Sequence, residues 1–89
     1  MIVNYMEGIV KSLLNNILKT DPNYADICKC ELCIDDILAK TLNNLKPCYI
    51  TTKKGEVYAE YSSLDPQHHA ETIAEIIKAI EFVSSSPNH

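Results

Sequence analysis

Apolar residues along this chain recur mostly at offsets of three and four, which is the period of a helix with one buried face. Between Asn4 and Thr20, Met6, Ile9, Val10, Leu13, Leu14, Ile17 and Leu18 make such a stripe, and the spacing of Asn4 and Glu7 matches a capping box. Val3 is placed to pack back on the first turn. Asp21-Pro22-Asn23 predicts the stop, because a residue before proline is driven out of the helical region. A second helix is predicted over Glu31–Asn44, with Ile34, Ile37, Leu38, Thr41, Leu42 and Leu45 inward, ended by Pro47. A third starts at Pro66 and runs to about Ser84, with Ile73, Ile76, Ile77, Ile80 and Val83 as its stripe. Between them, β-branched and aromatic residues flank Gly55, which predicts a hairpin pairing Tyr49–Thr52 with Glu56–Glu60. The predicted fold class is thus mainly α with a short β-hairpin, a small α+β domain over residues 1–89 with a polar tail at 84–89.

Residues 24–33 break the pattern and carry the most specific chemistry. Cys28-Lys29-Cys30-Glu31-Leu32-Cys33 brings three thiols into one irregular knuckle that runs into the second helix, and Cys48 follows at the start of the hairpin. Zinc takes four soft or borderline ligands in a tetrahedron, so Cys28, Cys30, Cys33 and Cys48 are the expected metal set, giving a zinc-stabilised domain with no open coordination position. Three thiolates completed by Asp35, Asp36, a histidine or water is the other way to fill the shell. Cys30-x-x-Cys33 also matches a dithiol redox pair, an iron–sulfur cluster fits the same ligand type, and four isolated buried or free cysteines are the remaining alternative.

Size makes a metal or a second copy of the chain useful. At 89 residues the gain from burial and the cost of ordering nearly cancel. The balance of 8 Lys plus Arg, all of them Lys, against 12 Asp plus Glu gives a net charge of −4, with neither a basic stripe nor a guanidinium fork, which argues against direct binding of duplex DNA. No run of apolar residues has membrane-spanning length, and the first ten residues show no basic start or cleavage signature, so a cytoplasmic chain without membrane contact is expected. The carboxylates form no acid/base pair, His68-His69 reads as a solvated helix start, and Thr51–Lys54 reads as a wet turn with some capacity for phosphate. The expectation is therefore no enzyme.

Three stretches together carry a resemblance to a known family: VNYMEGIVKSLL at 3–14, CKCELCIDDILAKTLNNLKPCYI at 28–50 and GEVY at 55–58. In this order and spacing they resemble the late competence development protein ComFB family. The resemblance implies a small, mainly helical, homodimeric protein with a short β element, holding zinc through Cys28, Cys30 and Cys33 and linked to DNA-uptake competence in bacteria. Cys48 falls where the family commonly has another residue, so its assignment comes from thiolate chemistry alone. A regulatory or adaptor module follows as the first reading of function. Some cyanobacterial relatives are receptors for cyclic dinucleotides, c-di-GMP or c-di-AMP, which is the alternative, with Tyr49, Tyr58 or Tyr61 stacking on bases and the turn lysines meeting phosphate. This chain departs from them by having Ile34 and Asn44 where arginines are common, and no arginine elsewhere.

Overall fold

A computed structural model describes residues 2–51 and 66–86. Its elements are β1 (Val3–Asn4), α1 (Tyr5–Thr20), a 3-10 turn at Pro22–Tyr24, α2 (Glu31–Asn43), β2 (Tyr49–Ile50) and α3 (Pro66–Ser85). All three predicted helices are present within a residue or two of their expected ends. The tail expected from Ser84 begins slightly later, since Ser84 and Ser85 still belong to α3.

Each helix boundary has a local cause. Asn4 caps α1, its side-chain oxygen accepting from the Met6 amide at 3.2 Å. At the other end the Asp21 amide donates to the Ile17 carbonyl at 2.9 Å, while the Asp21 carboxylate accepts from Asn23 at 2.9 Å and opens the 3-10 turn. The buried hydroxyls of Thr41 and Thr72 donate to the carbonyls one turn back, Ile37 at 2.8 Å and His68 at 2.9 Å, so neither carries an unpaired polar group into the core.

α2 lies against both other helices, most extensively against α3. Met6, Val10, Leu14 and Leu18 come to the core from α1, Cys33 and Ile37 from α2, and Ile76, Ala79, Ile80 and Val83 from α3. Inward-facing positions on α3 differ from the expected stripe: Thr72 and Ala79 are buried, whereas Ile73 and Ile77 are half-buried at its flanks. The Lys40 ammonium sits 4.3 Å from the Phe82 ring centre, a cation–π contact between α2 and α3.

Among the described residues, β2 is paired with the start of the chain. β2 runs antiparallel to β1, with Val3 opposite Ile50 and Asn4 opposite Tyr49. Val3 is therefore a strand residue, and the Asn4 side chain serves β2 as well as α1. Its oxygen also accepts from the Cys48 amide at 2.9 Å, while the Tyr5 amide donates to the Cys48 carbonyl at 2.7 Å. The expected second hairpin strand, Glu56–Glu60, lies outside the described residues.

Two substitutions test this frame. Asn4→Ala removes both the α1 cap and the acceptor for Cys48, and should lower unfolding free energy by about 1–3 kcal/mol in a urea titration, whereas Asn4→Asp, which keeps the acceptor, should cost clearly less. Equal losses would mean that the double acceptor does not hold β2. Gly8 sits inside α1 with open space where a Cβ would go and no left-handed backbone to preserve, so Gly8→Ala should raise stability by about 0.5–1 kcal/mol. A lowered midpoint would show that this side of α1 is covered.

Candidate metal centre

The knuckle converges on the first turn of α2. Cys30 is the N-cap residue, extended at φ −67° and ψ 163°, and its carbonyl accepts the first helical bond from Ile34 at 3.0 Å. Its Sγ takes the role a serine or aspartate oxygen usually has, accepting from the Cys33 amide at 3.5 Å. Cys33, one turn on, is 2 % exposed and part of the core. Tyr24 and Ile27 pack against that core from the preceding segment and fix the direction from which Cys28 arrives. As a result the sulfurs of Cys28, Cys30 and Cys33 all lie within 4.8 Å of one another.

These three residues suit a thiophilic cation. Zinc–sulfur bonds near 2.3 Å in a tetrahedron put sulfurs about 3.8 Å apart, so small side-chain rotations close the group around one ion. Electrostatics separates the thiols. The Cys33 amide and the neighbouring Cys28 side chain lower the Cys30 thiol below its ordinary value, favouring thiolate at the surface. Burial, followed by the adjacent Cys28 and Cys30 thiols, pushes Cys33 up to about 12. Without a cation Cys33 keeps its proton, and a cation at the centre has to displace it.

Cys48 is not brought to this group. It precedes β2, bonded to Asn4 and Tyr5 near the start of α1, beyond the far end of α2. Thirteen helical residues separate the two ends of α2 by about 20 Å. Among the described residues, Cys28, Cys30 and Cys33 alone form a group of potential ligands this close, so Asp35, Asp36 and His68 do not complete it either. Sequence reasoning missed Cys30 as a helix cap; the signal was its place directly before Glu31 and three residues before Cys33.

A profile of the family described as late competence development protein ComFB matches residues 3–87, which spans the knuckle, β2 and α3. The chain belongs to the ComFB family. It is 30 % identical to the competence protein ComFB of Bacillus subtilis strain 168 over 88 residues, covering 99 % of this chain and 87 % of that one. The solved structure of the late competence protein ComFB from Bacillus subtilis superposes with a TM-score of 0.78 at 30 % identity, covering 99 % of this chain and 96 % of the other. The expected family and the mainly helical architecture with a short β element both hold. In this ComFB-family chain no helix among the described residues is long and apolar enough to cross a membrane.

Proposed function

We propose that this ComFB-family chain is a non-catalytic, zinc-stabilised homodimer that serves as a regulatory or adaptor module in a competence-linked pathway. The three-sulfur cluster carries this reading, because Cys33 belongs both to it and to the hydrophobic core. An ion held there would pin the irregular residues 24–30 to the helix bundle, a structural role. The dimer is supported by apolar surface: Ile2 and Tyr49 are each 65 % exposed beside the short sheet, and Val3, Ile9, Leu13 and Ile50 line an open groove along α1. Location in the cytoplasm suits reduced thiols.

Native mass spectrometry of protein purified reduced and without added metal weighs subunits, metal and carried ligand together. A dimer with one zinc per chain is the expected result, and a metal-free monomer overturns it. An added cyclic dinucleotide mass would put the receptor reading first; of the residues expected to hold that ligand, only Tyr49 is among those described, with Lys53, Lys54, Tyr58 and Tyr61 outside them.

A further inference from the structure

We infer that the knuckle is also an oxidation site, at which a hydroperoxide joins Cys30 to Cys33 in a disulfide and so expels the metal. The expulsion rests on the zinc reading above; the disulfide rests on the geometry of the thiols alone. Cys30 is exposed and Cys33 lies directly behind it in the core, their sulfurs within 4.8 Å. The Cys33 amide donating to the Cys30 sulfur holds the two residues together across the first turn of α2. Cys28 reaches the group from outside any helix, two residues before Cys30.

The chemistry balances with the peroxide as the only added reagent. The Cys30 thiolate attacks the terminal peroxide oxygen, the O–O bond breaks, and the departing alkoxide takes a proton from water to leave as the alcohol. Cys33 sulfur then attacks the resulting Cys30 sulfenic acid, forming the S–S bond and expelling hydroxide, which leaves as water after taking a second proton. Two thiolates, one hydroperoxide and two protons give one disulfide, one alcohol and one water; the two sulfurs lose the electrons that the O–O bond gains. Only the Cys28 sulfur then remains of the three donors, too few to retain zinc in competition with solvent.

Trypsin makes the outcome readable, because cleavage after Lys29 and Lys40 places Cys30 and Cys33 in one peptide, residues 30–40, and Cys28 in another, residues 20–29. Reduced, zinc-loaded protein is treated with about a ten-fold excess of hydrogen peroxide, denatured, alkylated and digested, with released zinc followed by a colorimetric chelator. The expected result is a 30–40 peptide about 2 Da light and unalkylated, Cys28 and Cys48 alkylated, and zinc released in step with the disulfide. Dithiothreitol with added zinc should restore the starting state. A 30–40 peptide that remains alkylatable, gains oxygen, or is linked to 20–29 overturns the proposal. Cys28→Ser keeps both reacting sulfurs and should still yield the light peptide, while Cys30→Ser should abolish it with helical circular dichroism retained. Protein that starts without zinc yet yields the light peptide sinks the metal reading and its expulsion but upholds the disulfide. Zinc-loaded protein that never yields it does the opposite.

Discussion

Replacing Ile76 with alanine is expected to lower the unfolding free energy by about 2–5 kcal/mol, a large part of the roughly 4–13 kcal/mol typical of a domain this size. Ile76 has no exposed surface and lies in α3, the helix most extensively packed on α2. Truncation leaves a cavity that the surrounding Ile37, Ile80 and Leu14, themselves at most 1 % exposed, have little freedom to fill. At roughly 4–8 °C per kcal/mol the melting temperature should fall by about 8 °C or more. Phe82→Ala is the matched control: the ring is 60 % exposed and lies beside the Lys40 ammonium, so its loss should be about 1 kcal/mol or less. If urea midpoints fell equally for the two, α3 would have its faces assigned the wrong way round.

On the zinc reading proposed above, removing the metal should have the second large effect, and its pH dependence tests for thiol ligands. Free zinc at about a thousand times its dissociation constant adds roughly 4 kcal/mol to the folded state, so chelation should lower the melting temperature by a comparable step. The Cys33 thiol, at about 12 without metal, is protonated throughout pH 6–8, and binding must release that proton. Apparent affinity should therefore weaken about ten-fold for each unit the pH falls, and more steeply where other thiols also release protons. In stripped protein the sign is reversed. A folded-state value above the ordinary 9.0 means that the folded chain binds the proton more tightly, so this contribution is intact below pH 9 and is lost as pH rises towards 12. Cys30 acts oppositely, its lowered value favouring the fold above its ordinary range and losing that contribution as pH falls, but at an exposed position the effect is small. Competition titrations at pH 6, 7 and 8 check this; an affinity that does not change with pH would falsify the assignment of Cys33 as a ligand.

Helices and knuckle were legible because their causes are local. Asn4, Asp21, Pro22 and Pro66 act within a turn of themselves, and Cys28, Cys30 and Cys33 are close in sequence before they are close in space. What failed to show were relations decided by packing. Ile73 and Ile77 look as apolar as Ile76 and Ile80, but only the latter pair is fully buried, a choice set by the rotation of α3 in the bundle. Cys48 matches the other cysteines in chemistry, and chemistry alone puts it at their centre; the length of α2 places it at the opposite end of the bundle. Two residues, Val3 and Asn4, are too few to display alternation, so a partner for β2 from the start of the chain left no periodic trace.

The bond from Cys48 to Asn4 joins positions 44 residues apart, and that separation sets an order of events in folding. Closing a loop of that length costs on the order of 3 kcal/mol before any contact repays it, whereas each helix forms from neighbours in the chain. Docking α1 on α3 closes a loop at least as long, but it is repaid by the buried apolar core, so the helices should dock first and the two-residue strand pair close last, on a surface already built. By the same reasoning it opens first: transient separation of β1 from β2 would break the bonds of Cys48 to Asn4 and Tyr5, while the local Asn4–Met6 cap, the core and the thiol cluster at the other end of α2 stay in place.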